Sequence, residues 1–319
     1  MKKVIIVPQH NSIMATCGFN DAKNKDDIVV LDGPVYFRNK FTKLAYKVHN
    51  SHKFNLPFKS FWHKKKMSSL WRIKFQENVC YSIVILDRAL ALIDKEMLFE
   101  LKKNHHIKLI LCLVNPINSS SGSLALSRIS EFDSIFSFDK QDSVKYSLNH
   151  FFQIYSKIEC DFNGEVEHDI YFVGVDKGRA KLIYECEDKF KEYDVKYNLT
   201  LVYSKKKREF SLANYKSSYI PYSEIIVEIQ KSNCILEILQ EGQAGTSFRY
   251  VEAICYNKKL LTDNPNIVNF PYYNPKFMKI FKCVDDIDYD WIKRKEEIDY
   301  SYKGDFSPLR FIEMVKSLR

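Results

Sequence analysis

Three sets of residues in this chain have the types and spacing to do chemistry. The first is the run QEGQAGTSFRYVEA, residues 240–253. Gly242 and Gly245 let the backbone come close to a ligand, and Ser247–Asn257 after them reads as a helix. A glycine loop that opens a helix is an anion site, because the free N–H groups of the first turn and the helix dipole both point at the ligand. Arg249, in that turn, adds a forked permanent cation that matches a diphosphate. Glu252, on the same face, can accept from ribose hydroxyls. The plainer alternatives are that Thr246 caps the helix and that Arg249 and Glu252 form a surface ion pair.

The second set is GVDKGR, Gly174–Arg179, between a strand (His168–Val173) and a helix (Ala180–Tyr193). That context suits a phosphate loop, with Gly174, Lys177, Gly178 and Arg179 as its ligand-facing members. The glycines are four apart, so it is neither G-x-G-x-x-G nor a Walker loop, and a simple strand-to-helix turn is the alternative. The third set is the polar strand ends of the N-terminal half. Asp87, ending SIVILD, and His10, in PQHN, are candidate general bases. Turn formation or capping by the same residues is the alternative.

Other chemistries find less support. The D-x-D spacing within Asp285–Asp290 (DDIDYD) suits a hard cation. It stands late in the chain beside Trp291 and a basic run, and reads as a solvated acidic helix start, so no metal is assigned. None of the eight cysteines forms C-x-x-C, and His105 and His106 are adjacent, which argues against zinc. Hydrolase signatures G-x-S-x-G and H-E-x-x-H are missing, and Ser119–Ser123 reads as a flexible loop.

The elements that must position these residues alternate between strand and helix. Val4–Val7, Ile28–Leu31, Ser82–Leu86, Ile107–Val114 and Ser134–Phe138 are nearly continuous apolar runs, as in a parallel sheet covered on both faces. Lys95–Lys103 and Ser143–Tyr155 read as helices, and Ser156–Glu167 as a polar connector. The pattern then restarts with the strands Thr200–Tyr203, Cys234–Leu239 and Lys259–Thr262 and the helix Ser223–Lys231. This predicts an α/β protein of two doubly wound domains facing across a cleft. Lys40–Gln76 is aromatic and basic without clear periodicity, and reads as an insertion or mixed helix.

A chain of 319 residues with 45% hydrophobic content can build two cores. The net charge of +9 is clustered at Lys64–Lys66, Lys205–Arg208 and Lys293–Lys295. Such runs are either solvated faces or attract anionic lipid or a phosphorylated substrate. No nucleic-acid motif accompanies them, so nucleic acid is set aside as a partner. No apolar run suits a signal peptide or a membrane span. A cytoplasmic protein, or one attached peripherally to a membrane, is expected.

The segments LVNPI, SIFSFDKQDSVKY, HDIYFVGVDKGR, PYSEIIVEIQKSNCILEILQEGQAGTSFRYVEAI and KKLLTDNPNI resemble a family of bacterial polysaccharide-biosynthesis proteins, the glycosyltransferase-like proteins of capsule, lipopolysaccharide and exopolysaccharide clusters. The resemblance covers about Tyr81 to Ile280; residues 1–80 match nothing. It implies a GT-B architecture. Residues 1–158 would form an acceptor-side Rossmann-like domain and 167–306 a nucleotide-sugar-binding one, with 307–319 a helix packing back on the first. It also implies sugar transfer from a nucleotide-activated donor to a glycan or lipid-linked acceptor at the inner membrane face. On this resemblance Gly174, Lys177, Gly178, Arg179, Gln243, Gly245 and Thr246 would face the donor. Arg249 would neutralise the departing diphosphate in place of a metal, and Glu252 would hold the ribose. The donor is then a co-substrate, and no separate cofactor is expected.

The match departs from the family at one point. Many GT-B enzymes carry a second glutamate eight residues before the helix glutamate, where this chain has Ala244; the nearest acid, Glu241, lies eleven before. The sugar-contacting role and the stereochemical outcome stay open, with Asp87 or His10 available as base to an inverting enzyme. The rival readings are a nucleotide-sugar- or NAD-dependent modifying enzyme and a catalytically silent partner in polysaccharide assembly. Oligomeric state is not legible.

Overall fold

The computed structural model describes residues 2–10, 14–49, 56–58, 61–62, 64–104, 106–160, 162, 164–202, 215–216, 220–240 and 245–318. The chain divides into two compact units, one of residues 1–156 with 306–319 and one of residues 157–305. Gly242 and Gln243 of the glycine loop, His105, and the basic run Lys205–Arg208 lie outside the described residues.

The first unit contains β1 (Lys2–Val7), β2 (Ile28–Val30), α1 (Lys40–His49), β3 (Cys80–Leu86), α2 (Asp87–Leu90) and α3 (Lys95–Asn104). It continues with β4 (Ile107–Leu113), α4 (Ser120–Ser127), β5 (Ser134–Ser137), α5 (Lys140–Lys145) and β6 (Asn149–His150). All its strand pairs are parallel, in the order β2-β1-β3-β4-β5-β6. Parallel neighbours need crossovers, and the crossover helices cover both faces, so the strands are apolar almost throughout. One face shows this plainly: Ile83 and Ile85 of β3 and Leu109 and Leu111 of β4 are buried with Leu98 and Leu101 of α3. Each such side chain contributes about 1.5–3 kcal/mol on leaving water.

One helix of the sequence reading is corrected here. Ser143–Tyr155 is not helical throughout. The helix is α5, whose N-cap Asp139 accepts from the N–H groups of Gln141 and Asp142. Ser147, with φ of +54°, turns the chain out of it, and Asn149–His150 joins the sheet as β6. The local turn and the edge-strand pairing override the helical periodicity.

The second unit contains β7 (His168–Val175), α6 (Ala180–Glu192), β8 (Tyr197–Val202), β9 (Tyr215–Lys216), α7 (Tyr222–Gln230) and β10 (Ser232–Glu237). After these come α8 (Phe248–Cys255), β11 (Lys259–Thr262), β12 (Met278–Ile280) and α9 (Tyr289–Lys293). Its parallel sheet runs β12-β11-β10-β7-β8-β9. Ile170 and Phe172 of β7 pack against Ile183 and Phe190 of α6 on one face.

α10 (Pro308–Ser317) follows the second unit in the chain and belongs to the first. Ser307 caps it and Pro308 opens it, with no N–H to waste in the first turn. Its Phe311 ring packs 5.4 Å from Phe136 and 5.1 Å from Phe151. Among the described residues, no helix is long and apolar enough to cross a membrane.

Candidate functional site

In an open parallel sheet, strand order reverses at one point, and loops from the two flanking strands diverge there to leave a crevice. In the second unit that point lies between β7 and β10. The segments singled out in the sequence leave β7 and β10 there.

After β7 the turn is built by Asp176, whose Oδ1 accepts from Gly178 N (3.3 Å) and Ala180 N (3.2 Å). Lys177 and Gly178 both have positive φ, +44° and +88°. A lysine in the left-handed region is strained. Its ammonium is aimed across the reversal point and donates to Gln240 Oε1 at 2.8 Å. Arg179 spans the same gap. Its Nη1 donates to Ile238 O beyond β10 (2.9 Å), and its Nε and Nη2 donate to Val175 O at the end of β7. Burial, reinforced by the neighbouring Arg249 cation, lowers the Arg179 pKa to about 10. Gly174 lies beneath this guanidinium: a Cβ there would come within 2.5 Å of Arg179 Nη2. Arg179 therefore ties two strand ends together, and Gly174 makes room for it.

At the other lip, α8 starts from Ser247, not Thr246. Ser247 Oγ accepts from Tyr250 N at 3.2 Å and is the N-cap, which corrects the capping role expected of Thr246. Thr246 is buried and Gly245 half-buried just before the cap. Ser247 suits the position because it serves two groups: its hydroxyl also donates to Glu237 Oε1.

Glu237 ends β10 and is almost fully buried; its other oxygen accepts from the Thr262 hydroxyl at the end of β11. Burial raises the Glu237 pKa, and the two hydroxyls draw it back. Thr262 Oγ1 also accepts from Asn264 N at 3.0 Å. Asn264 Oδ1 accepts from Asn266 N (3.0 Å), while its Nδ2, buried, has no hydrogen-bond partner among the described residues. Asp263 Oδ1 accepts from Leu239 N at 2.9 Å. None of Glu237, Thr262, Asp263 and Asn264 was singled out from the sequence. The signal was present: Glu237 is an acid inside the otherwise apolar run Cys234–Leu239.

Arg249 and Glu252 form an ion pair, Nη1 to Oε2 at 2.5 Å, but not on the surface. The Arg249 side chain is 16% exposed and that of Glu252 not at all. Glu252 Oε1 accepts from Tyr222 O–H, reaching from α7. Burial raises the Glu252 pKa, opposed by Arg249 and Tyr222. Arg249 is also felt electrostatically by Glu237 and Arg179. The second unit thus gathers Lys177, Arg179 and Arg249 at one end of its sheet, with Glu237 and Glu252 holding the α8 side in place. Such a concentration of cationic donors beside a helix start can hold an anionic ligand.

In the first unit the order reverses between β1 and β3. His10 follows β1 and Asp87 follows β3. His10 Nδ1 donates to Asp32 O (2.9 Å) and Nε2 accepts from Val35 N (3.2 Å), so the neutral ring satisfies both. Burial lowers its pKa, which keeps it neutral. Gly33 admits the ring: a Cβ there would sit 2.1 Å from Nδ1. Asp87 is fully buried. It accepts from Asn115 Nδ2 (2.9 Å) and Ser121 Oγ (2.8 Å), knotting the ends of β3, β4 and α4, and burial raises its pKa.

The acidic segment 285–290 has local partners. Asp286 accepts from Lys282 N and Cys283 N (3.3 Å each); Asp288 caps α9 through Trp291 N and pairs with Lys279 at 2.6 Å.

No protein-family model matches the sequence, and no curated protein is similar enough in sequence to count as a relative. Solved structures share the fold. An alpha-glucosyltransferase in complex with UDP and a mismatch-containing 13-mer DNA matches with a TM-score of 0.58 at 13% identity, over 99% of this chain and 100% of that one. The apo structure of OtsA matches with a TM-score of 0.50 at 9% identity, again over 99% of this chain and 100% of that one. The shared architecture is the two-sheet GT-B fold of glycosyltransferases.

Proposed function

We propose that this chain is a GT-B glycosyltransferase that moves a sugar from a nucleotide-sugar donor to a glycan or lipid-linked acceptor in bacterial surface polysaccharide biosynthesis, working at the cytoplasmic face of the membrane. The observation that carries the reading is the convergence of Lys177, Arg179 and Arg249 where β7 and β10 part, within a GT-B fold. The donor's diphosphate would lie against this end of the second unit, with Gly174, Gly178, Gly245 and Thr246 lining its approach. As the glycosidic bond to the leaving phosphate breaks, negative charge grows on the diphosphate. A fixed guanidinium stabilises that charge without reorganising, so no metal is required. Arg249 is assigned this role because Glu252, itself held by the Tyr222 hydroxyl, keeps it in place. Arg179, bound to backbone carbonyls, is assigned to shaping the site.

The ribose role of Glu252 requires it to exchange a present partner for a hydroxyl. On the acceptor side, His10 is favoured over Asp87 as base, since its ring is only partly buried. It would take the acceptor hydroxyl proton on Nε2 after releasing Val35 N–H.

Calorimetric titration with UDP, GDP, CMP, ADP, TDP and NAD⁺ tests the reading. Selective binding of one nucleoside diphosphate, lost in Arg249→Ala, is expected. Preference for NAD⁺ would move the protein to the redox class, and no binding at all would favour a silent assembly partner.

A further inference from the structure

The net charge of this protein comes from one stretch. Residues 33–76 hold eleven of the 49 lysines and arginines and none of the 40 aspartates and glutamates. Outside it the chain has 38 basic against 40 acidic residues and is slightly negative. The same stretch holds ten aromatic side chains.

Within it, α1 is mounted the opposite way from an ordinary surface helix. Its half-buried face carries Thr42, Tyr46 and His49. Tyr46 packs on Phe37 (5.2 Å) and Trp62 (5.2 Å), and His49 Nδ1 accepts from Trp62 Nε1 at 3.1 Å. Its outward face is apolar: Phe41 is 82% exposed, Leu44 57% and Val48 42%. The spacings of three and four place these on one stripe, and Lys40, Lys43 and Lys47 fall on the adjoining flank. His49 Nε2 donates to Pro57 O (2.5 Å), joining α1 to the segment that carries a fourth exposed apolar residue, Phe58, 81% exposed. Nearby, Lys64 and Lys66 stand 5.9 and 5.5 Å from the Phe61 ring centre, and Lys65 stands 3.7 Å from that of Trp71.

We propose that this face docks on an anionic lipid bilayer. Phe41, Leu44, Val48 and Phe58 enter the boundary between headgroups and acyl chains, and the flanking lysines bind lipid phosphates. A helix with an exposed apolar stripe beside lysines has the form of an in-plane interfacial helix. Basic residues near a negative leaflet each add attraction. Nucleic acid would use the lysines but leave Leu44 and Val48 in water. A second copy of the same face is repelled by its own charge. The proposal gives the membrane side of the functional reading a surface. It is independent of donor chemistry, since vesicle binding is read without any sugar or nucleotide present.

The test is flotation of the full chain with vesicles of phosphatidylglycerol and phosphatidylcholine in equal parts, with phosphatidylcholine vesicles alone, and with a duplex DNA competitor. Binding is expected to the mixed vesicles only, weakening as salt rises. Phe41→Ser/Leu44→Ser/Val48→Ser should weaken it roughly tenfold or more, because the inserted apolar area supplies much of the affinity. These side chains are exposed, so the variant should keep its circular dichroism and melting temperature. Lys40→Gln/Lys43→Gln/Lys47→Gln should remove the lipid-charge preference. Three outcomes overturn the proposal: no vesicle binding at low salt, a serine variant that binds as well as the parent, or DNA that strips the protein from vesicles and binds the serine variant unchanged.

Discussion

The pair Arg249–Glu252 separates architecture from chemistry, and a double-variant cycle reads each. Arg249→Met leaves the Glu252 carboxylate wholly enclosed with, among the described residues, only the Tyr222 hydroxyl as partner. Breaking a buried ion pair costs about 3–5 kcal/mol, and the lower end applies because Tyr222 still donates. Glu252→Gln removes one charge facing a guanidinium that is 16% exposed and can turn to water, so its cost is smaller, about 1–2 kcal/mol. Removing both charges, with the Gln carbonyl still accepting from Tyr222, should cost little more than about 1 kcal/mol. The coupling energy is then about 3–4 kcal/mol in favour of the pair.

The pH dependence carries a sign. Without Arg249, the folded-state pKa of Glu252 rises further above its ordinary value of 4.5. The folded protein then binds the proton more tightly than the unfolded chain, so stability falls as pH climbs from that value towards the folded pKa. The Arg249→Met penalty should therefore be smaller near pH 5 than near pH 8, and the double variant should lose this dependence. Denaturant midpoints at both pH values measure stability, and nucleotide calorimetry measures binding. The double variant should recover stability without recovering diphosphate affinity. A coupling energy under about 0.5 kcal/mol would refute the buried-pair reasoning, and full nucleotide affinity in the double variant would remove Arg249 from the donor site.

Three other outcomes are expected. Gly122→Ala should cost about 3 kcal/mol or more, because the new Cβ would lie 2.3 Å from Pro116 O and 2.5 Å from Ile117 Cα, both backbone; a denaturant midpoint close to the parent's would show that α4 can shift. Asp87→Asn should cost about 2 kcal/mol by setting an amide donor against Asn115 Nδ2, while transfer activity keeps its pH profile; a lost alkaline plateau would instead make Asp87 the base. Lys258 donates to Gln230 O, and burial lowers its pKa to about 8. The unfolded chain then binds more protons between about pH 8 and 10.5, so the parent should gain stability relative to Lys258→Met as pH rises through that window. Parallel stability curves would contradict it.

The sheets were legible in the sequence because parallel strands buried on both faces leave unbroken apolar runs. Val4–Val7 falls within β1, and Lys259–Thr262 is β11. Short edge strands carry no such run: Asn149–His150 and Met278–Ile280 join their sheets through neighbours distant in sequence. The loops after β7 and β10 were legible by glycine and charge. Their supports were not. Tyr222 meets Glu252 across thirty residues, and Thr262 meets Glu237 across twenty-five, pairings that only the packing of α7, α8 and β11 creates. α1 escaped for another reason: its apolar residues Phe41, Leu44 and Val48 are interleaved with Lys40, Lys43 and Lys47 over ten residues, which blurs the period, and the stripe they form faces outward.

The return of α10 to the first unit sets an order for synthesis. Lys2 Nζ donates to Lys316 O (2.5 Å), Lys108 Nζ to Leu318 O (3.2 Å), and Ser307 Oγ to Asp21 Oδ2 (3.1 Å). All three span most of the chain. Residues 157–305, by contrast, are continuous. On a ribosome, the second unit can close as soon as it emerges, while the unit begun first waits, with Phe136 and Phe151 uncovered, until Phe311 arrives. The half translated first is the half completed last.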